Sequence, residues 1–250
     1  MTSLKNLREQ VTEALALRIL DGTFVAEQPM PTEPELMELT GVSRTTLRSA
    51  IQSLQAKGMV SVAPSRGTWV RPRRYWNLMD AEVIEWRMSL GVTADLIREI
   101  YEMRECFEPR ASYLAAERRT EADGARILAA VDLMDASRHA DSVAAAEADL
   151  EFHLAVLASC GNDVIASLGS MMSTILRQSF YIAREKKALS TDDVRLHREV
   201  AMAILNRDSS AAQTATHELL ARSKQVQIES AESLDRANRI ARSIKNYRGT

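Results

Sequence analysis

LMELTGVSRTTLRSAIQSLQAKGMV, residues 36–60 of the 250-residue chain, is the stretch that decides the fold. A short helix over about residues 33–39 stops at Gly41, and Ser43 can cap a longer helix that runs to about Lys57. Two helices joined by a short turn that contains glycine form the helix-turn-helix arrangement. The stretch therefore predicts a DNA-binding unit near the N-terminal end of the chain.

The longer helix has two distinct faces. Apolar residues at helical spacing form a stripe for packing: Leu47, Ala50, Ile51 and Leu54. Polar residues near its N-terminus lie off this stripe, at the end that recognition helices insert into the major groove. The candidate DNA contacts on this helix are Ser43, Arg44, Thr45, Thr46 and Arg48. Arginine pairs bidentately with guanine and hydroxyl groups hold phosphates, so we interpret it as a recognition helix rather than a solvated helix with incidental arginines.

The flanking sequence completes a winged domain. The spacing of apolar residues predicts an amphipathic helix over about residues 4–20. After the recognition helix, the runs MVSV (59–62) and TWV (68–70) flank a turn that contains proline and glycine, which predicts a β-hairpin. A hairpin in this place is a wing, and Arg66 and Gly67 near its tip can reach the DNA backbone or the minor groove.

Composition favours two domains with different roles. Hydrophobic residues make up 46% and charged residues 26% of the chain, and no apolar run reaches the roughly 18 residues of a membrane span. Residues 1–75 carry ten Lys/Arg against seven Asp/Glu, a surplus of +3, whereas the rest carries 22 against 27, a net −5. The first residues lack the apolar core of a signal peptide, so we expect a cytoplasmic protein, with Cys106 and Cys160 as buried free thiols.

From about residue 80 to 235 the sequence has helical periodicity almost throughout. The predicted helices span about residues 80–90, 93–118, 121–138, 142–159, 162–185, 190–206 and 208–235. Short connections between them favour an antiparallel bundle. We therefore predict a mainly α fold with these parts: a winged helix-turn-helix (1–72), a linker (73–79), an all-α effector-binding bundle (80–235) and a polar tail (236–250).

Three polar residues on apolar helix faces could share a site. Asp149 and His153 are one helical turn apart, and His197 lies on an apolar stripe of a later helix. Buried polar groups need partners, and one carboxylate with two imidazoles suits Zn²⁺ or another divalent transition metal. The residues alone leave a metal site and a hydrogen-bonded Asp–His network as equal alternatives. An open metal site would also suit a metal-dependent enzyme acting on a small hydroxy acid.

Arg104 is a further polar residue within an apolar stripe. The stripe consists of Ile97, Ile100, Phe107, Ala111 and Leu114. A guanidinium cannot be neutralised at working pH, so Arg104 needs an anionic partner. Residue chemistry slightly favours Glu108, one turn later, and the alternative partner is the carboxylate of a bound ligand, held bidentately.

The pattern as a whole resembles a known family. Residues 4–72, through the stretch quoted above, resemble the DNA-binding domain of the GntR superfamily of bacterial repressors. Pro34 is a departure, because fatty-acid-responsive members have a DNA-contacting arginine there. Residues 80–230 resemble the FCD ligand-binding domain of the FadR-type branch. The matching motifs are EMRECFE (102–108), AAER (115–118), D-x-x-x-H (149–153) followed by Asn162, and His197 before AILNRD (203–208).

This resemblance implies a metal site. Asp149, His153 and His197 match the family's metal ligands, so the resemblance implies a divalent transition metal, with zinc the first choice. Family members usually add a histidine on the last helix, at the position where this chain has Leu219. His217 lies two residues earlier, about 200° around the helix, and is a doubtful replacement.

The resemblance also implies an effector. The segment YWNLMDAEVIEW (75–86) and the absent last histidine are most similar to repressors of galactonate and related sugar-acid operons. An aldonate or similar small carboxylate would bridge the metal and Arg104, with Asn162 and Arg177 as further candidate contacts. We expect a homodimer that binds double-stranded operator DNA and is released by this effector, with no enzymatic activity and no membrane association.

Overall fold

The chain divides into two compact units, Met1–Gly91 and Val92–Thr250. Its structure is a computed structural model. The described residues are 5–64, 66–137, 142–183 and 190–247, with side chains described except at 142, 178–183 and 237–247.

The N-terminal unit is a winged helix-turn-helix. Its helices are α1 (Leu7–Leu20), α2 (Glu33–Thr40), α3 (Arg44–Ala56) and α4 (Ala81–Ser89), with a short 3-10 helix at Arg73–Tyr75. Its strands, β1 (Val60–Ala63) and β2 (Gly67–Val70), pair in antiparallel fashion with Val60 opposite Val70 and Ala63 opposite Gly67. The predicted helix-turn-helix and β wing are confirmed.

Helix caps fix the turn between α2 and α3. The backbone N–H of Thr32 donates to the carboxylate of Glu35 over 2.7 Å, and Gly41 ends α2 with a left-handed φ of 68°. Ser43 then caps α3 by accepting the backbone N–H of Thr46 over 3.3 Å. Residue types at the helix ends therefore define this turn, which is why the sequence alone predicts it.

Helix α4 packs into the core of the N-terminal unit. Val83 and Trp86 are buried in the same apolar cluster as the inner face of α3. At the start of α4, both carboxylate oxygens of Asp80 accept hydrogen bonds of 2.8 Å from Nζ of Lys57, the residue that ends α3. The domain boundaries drawn at residues 72 and 80 remain a prediction, whereas the compact N-terminal unit extends to Gly91.

The C-terminal unit is helical in all its described elements. They are α5 (Ala94–Arg118), α6 (Glu121–Ser137), α7 (Ser142–Ser159), α8 (Asp163–Ala166), α9 (Gly169–Ala183), α10 (Thr191–Leu205) and α11 (Ser209–Tyr247). The most extensive contacts join α5 to α11, α6 to α7 and α10 to α11. Buried apolar residues of α5, α6, α7, α10 and α11 form the main core. The predicted mainly α fold with a helical C-terminal domain is confirmed.

One predicted helix is divided in the structure, and another is longer than predicted. The helix predicted over 162–185 is divided into α8 and α9, because the chain turns at Ser167 after the short α8. The last helix continues to Tyr247, past the predicted end at 235. Within the described residues, no helix is both long enough and apolar enough to cross a membrane.

The two cysteines differ in exposure. Cys160 is a buried free thiol, as predicted, but the same prediction is wrong for Cys106, which is exposed. On α5, Cys106 lies two residues from both Arg104 and Glu108, about 200° around the helix. Since those two side chains are buried, Cys106 faces outward.

Candidate functional site

The N-terminal end of α3 presents the predicted DNA contacts. Arg44 and Arg48 have 65% and 66% of their side chains exposed, and Thr45 is exposed between them. The hydroxyl groups of Ser43 and Thr46 share a hydrogen bond of 3.0 Å. The apolar stripe on the opposite face is buried. A helix N-terminus with two exposed guanidinium groups is suited to phosphates and to guanine edges.

A carboxylate on α2 contacts both arginines. Nε of Arg48 donates to Oε1 of Glu33 over 2.9 Å, and Nε of Arg44 lies 3.6 Å from Oε2 of Glu33. Glu33 directly precedes Pro34, the residue at which the family pattern is interrupted. Arg44 and Arg48 therefore have an anionic partner within the protein, which no pattern in the sequence indicated.

The wing carries a basic residue on a fixed hairpin. Arg66 is exposed, and its guanidinium lies 4.8 Å from the centre of the Trp69 ring. Nε1 of Trp69 donates to the carbonyl oxygen of Arg66 over 2.7 Å. Gly67 begins β2 with a φ of 71°, a conformation that residues with a Cβ rarely adopt. The neighbouring Ser65 lies outside the described residues.

The C-terminal unit contains a buried cluster of charged and polar residues. Helix α5 contributes Arg104 and Glu108, α7 contributes Asp149 and His153, and α10 contributes His197. Each of the five is between 2% and 6% exposed. Ligand atoms of Asp149, His153 and His197 all lie within 4.8 Å of one another. The structure therefore brings together the three residues predicted as metal ligands and places Arg104 beside them.

Both histidines of this cluster direct Nε2 toward Asp149. Nε2 of His197 lies 2.8 Å, and Nε2 of His153 4.0 Å, from Oδ1 of Asp149. Nδ1 of His197 donates to the carbonyl oxygen of Asp193 over 2.7 Å, which leaves the lone pair of a neutral ring on Nε2. That Nε2 atom is buried and makes no well-directed hydrogen bond, despite its closeness to the carboxylate. In a neutral ring, Nε2 and Oδ1 of Asp149 would face each other with lone pairs only, an arrangement that either a second ring proton or a metal ion between them would satisfy.

Ion pairing keeps the carboxylates of the cluster charged. Burial alone would raise the pKa of Glu108, but Arg104 and His153 lower it to about 2. Burial also opposes the ionisation of Asp149, yet contact with His197 lowers the pKa of Asp149 below its usual value. In the same pair, burial would lower the pKa of His197, and the Asp149 carboxylate raises it instead. Two anionic carboxylates therefore face the cluster, and both attract cations.

Arg104 is paired with the carboxylate of Glu108. Its Nε donates to Oε1 over 2.5 Å and its Nη2 to Oε2 over 3.3 Å. Nη2 also lies 3.4 Å from Nε2 of His153, and the guanidinium lies 4.8 Å from the centre of the Tyr101 ring. The partner that residue chemistry favoured is present, and it holds the arginine next to a candidate metal ligand.

Tyr101 is a member of this site that the sequence analysis missed. Its hydroxyl is buried without a well-directed hydrogen bond, and burial raises the pKa of Tyr101 to about 12. The predicted stripe of α5 contains Arg104 and is buried at most positions, but Ile100 and Phe107 are only partly buried, and the buried face also includes Tyr101 and Glu108. The three- and four-residue spacing of these polar side chains is the signal that could have identified Tyr101.

Among the described residues, α11 supplies no fourth ligand to the three. Leu219 is 1% exposed and lines a cavity of about 10 Å³ together with His153 and Glu108, with room for about one water molecule. His217, the doubtful replacement, is exposed because it lies about half a turn around α11 from Leu219. The structure therefore places His217 away from the cluster.

Two predicted effector contacts have other partners. Oδ1 of Asn162 accepts the backbone N–H groups of Val164 and Ile165 over 3.0 and 3.2 Å, so the side chain caps α8. Arg177 is exposed on α9 and forms an ion pair with Glu147 of α7. Within the described ranges, no contact joins either side chain to Arg104 or to the three candidate metal ligands. The effector contacts expected of Asn162 and Arg177 stay a prediction.

The chain combines a winged helix-turn-helix, which exposes two arginines on its recognition helix, with a helical unit that contains a buried polar cluster. These features define a two-domain DNA-binding transcription regulator. Residues 7–70 match the gntR family of bacterial regulatory proteins, and residues 99–222 match the FCD domain. The chain belongs to the GntR family and carries an FCD domain at its C-terminal side.

Relatives extend this match over most of the chain. The galactonate operon transcriptional repressor of Escherichia coli is 33% identical over 221 residues, which cover 87% of this chain and 95% of the relative. The HTH-type transcriptional regulator YieP of Escherichia coli is 32% identical over 88% of this chain and 95% of its own length. Among solved structures, Lar of Listeria monocytogenes has a TM-score of 0.61 at 19% identity over 91% of this chain and 99% of that chain. The family and the two relatives that are more than 30% identical confirm a regulator rather than an enzyme.

Proposed function

We propose that this protein is a homodimer that represses a sugar-acid catabolic operon and leaves its operator when a small carboxylate binds beside Arg104. The single observation that carries the proposal is the position of this buried arginine, 3.4 Å from His153 within the Asp149–His153–His197 cluster. A guanidinium stays charged at working pH and holds carboxylates bidentately. The likeness to a galactonate operon repressor supports an aldonate as the carboxylate.

DNA recognition in this proposal rests on the N-terminal end of α3 and on the wing. Arg44 and Arg48 would read guanine edges, while Ser43, Thr45 and Thr46 would hold phosphates with hydroxyl and backbone N–H groups. Arg66 and Gly67 of the wing would contact the flanking backbone. A homodimer presents two such surfaces, so the operator would be pseudo-palindromic.

The cluster residues fit a divalent transition metal, zinc above all. Asp149, His153 and His197 offer one carboxylate and two imidazole nitrogens, and the buried Nε2 atom of His197 lacks a well-directed partner. When bound, such a metal would supply a Lewis-acidic position for a carboxylate or hydroxyl oxygen of the effector. Arg104 would orient the same effector through its guanidinium.

Release from DNA would be a shift between two dimer arrangements. One arrangement holds the operator and the other does not. The effector must bind the second arrangement more tightly than the first. By linkage, operator binding then weakens effector binding by the same factor. This reciprocity distinguishes regulation by the effector from independent binding at two sites.

The test separates the two activities by mutation. An operator is first obtained by selecting DNA from a random-sequence library with the wild-type protein, and sedimentation gives the oligomeric state. Galactonate should release wild-type protein from this DNA in a fluorescence anisotropy titration. Arg44→Ala with Arg48→Ala should abolish DNA binding and leave galactonate binding intact, whereas Arg104→Lys should bind DNA normally and lose release. Release of Arg104→Lys at the wild-type galactonate concentration would contradict the proposed effector site.

A further inference from the structure

Glu108 contacts both functional parts of the buried cluster. Its Oε2 atom lies 2.9 Å from Nδ1 of His153, and its Oε1 atom accepts the 2.5 Å hydrogen bond from Nε of Arg104. We propose that Glu108 is a positioning residue that orients His153 for metal binding and Arg104 for carboxylate binding, and so couples the two events. This inference rests on the proposed function and assigns Glu108 a role beyond pairing with arginine.

The neighbours of His153 determine which ring nitrogen carries its proton. A guanidinium can only donate hydrogen bonds, so Nη2 of Arg104, 3.4 Å from Nε2 of His153, requires a lone pair on that nitrogen. The proton of the neutral ring is then on Nδ1, which faces Oε2 of Glu108. His197 has the same arrangement, with Nδ1 donating to the carbonyl oxygen of Asp193. A carboxylate or carbonyl acceptor behind each ring therefore leaves both Nε2 atoms available for a metal.

Glu108 also directs the donor groups of Arg104. Nε and Nη2 both donate to Glu108, so the carboxylate fixes the plane and direction of the guanidinium. In the described part of the chain, Nη1 makes no protein hydrogen bond. Arg104 can therefore keep Glu108 as its partner and still offer N–H groups to an incoming carboxylate.

Metal binding at His153 should favour carboxylate binding at Arg104. Nε2 of His153 has one lone pair in its neutral ring, and Nη2 of Arg104 uses it here. When that lone pair is donated to a metal, Nη2 loses an acceptor and gains a free N–H for a ligand carboxylate. Because Glu108 holds both partners in place, zinc should tighten carboxylate binding in the wild-type protein.

The experiment measures zinc and galactonate binding with purified full-length protein. Zinc affinity is taken from competition with a chelator, and galactonate affinity from calorimetry with and without zinc. Glu108→Gln keeps one acceptor oxygen but removes the charge, and we expect zinc affinity to fall about 10- to 100-fold, as for other partners of metal ligands. The zinc-dependent gain in galactonate affinity should also shrink in this variant. Glu151→Gln neutralises an exposed carboxylate that is paired with Arg126 in the same bundle. This control should match wild type in zinc affinity and in the zinc-dependent gain in galactonate affinity.

Nitrogen NMR of the imidazole rings provides a measurement that does not depend on the variant folding. In wild-type protein, the long-range proton–nitrogen spectrum should show His153 protonated at Nδ1. Protonation of His153 at Nε2, or zinc affinity equal in Glu108→Gln and Glu151→Gln, would overturn the inference. If zinc affinity falls in Glu108→Gln but wild-type protein binds no galactonate, the orientation of His153 by Glu108 is supported and the proposed effector class is wrong.

Discussion

Nε of Arg48 on the recognition helix donates a hydrogen bond of 2.9 Å to Oε1 of Glu33 on the preceding helix. The same carboxylate lies 3.6 Å from Nε of Arg44. Both arginine side chains are about two-thirds exposed, so this is a surface ion pair, and such pairs contribute at most about 1 kcal/mol. Phosphates of DNA would compete with Glu33 for the same two guanidinium groups.

Replacing Glu33 by glutamine should therefore strengthen DNA binding. The substitution removes a competing anion and a charge that repels phosphates, so we expect operator affinity to rise roughly two- to fivefold. Fluorescence anisotropy at several salt concentrations measures the change. Glu38→Gln removes one exposed charge from the same helix and is the matched control. Equal affinity in Glu33→Gln and Glu38→Gln would show that the Glu33 contacts do not restrain the arginines.

In the DNA-binding unit, the sequence predicts features that depend on neighbouring residues, but not contacts between residues that are far apart in the chain. The turn at Gly41 and the cap at Ser43 are local, since each is defined by residues within one helical turn. The Glu33–Arg48 pair joins two helices across that turn, and no periodicity within either helix indicates it. The hydrogen bonds that join Lys57, at the end of α3, to Asp80, at the start of α4, are also non-local, and no pattern within either helix indicates them.

In the buried cluster too, spacing within one helix could be predicted from the sequence, but contacts between helices could not. Asp149 and His153 share a helix face by spacing alone, whereas their approach to His197 depends on the packing of α7 against α10. The residues alone suggested that association and left a metal site and a hydrogen-bonded network open, and family resemblance favoured the metal site. The contact of Glu108 with His153 was not predicted, because it joins α5 to α7 and leaves no local pattern. The expected roles of Asn162 and Arg177 came from resemblance, and the structure gives each residue a different local partner.

Gly58, at the end of the recognition helix, should tolerate no side chain. A Cβ there would lie 2.2 Å from the carbonyl oxygen of Tyr75, and its φ of 73° is left-handed. Gly58→Ala should therefore lower the free energy of unfolding by about 2–5 kcal/mol, from backbone strain and steric overlap together. Gly22→Ala isolates the strain, because φ is 83° and no atom lies within 4 Å of its Cβ position, and should cost about 1–2 kcal/mol. Urea unfolding followed by tryptophan fluorescence measures both, and equal losses would contradict the steric argument.

Leu219 should accept a fourth metal ligand. Its side chain is buried in the wall of the cavity shared with His153, so an imidazole at this position can approach the cluster. Leu219→His should raise zinc affinity about tenfold or more, since a direct ligand contributes at least as much as an outer-shell partner. Chelator competition measures the gain. The same substitution combined with His153→Ala is the control, and an equal gain in that background would mean that zinc binds elsewhere.

Removal of metal should destabilise one unit of the protein and leave the other unchanged. Trp69, Trp76 and Trp86 all lie in the N-terminal unit, so their fluorescence reports on its unfolding, while circular dichroism at 222 nm reports on helices of both units. A metal present at 100 times its dissociation constant stabilises the folded state by about 2.7 kcal/mol. Treatment with a chelator should therefore lower the melting temperature of the transition seen only by dichroism, without moving the tryptophan transition. Addition of zinc should restore this melting temperature in wild-type protein but not in His197→Ala. A chelator effect confined to the tryptophan signal, or full restoration in His197→Ala, would contradict the assignment of the metal to the Asp149–His153–His197 cluster.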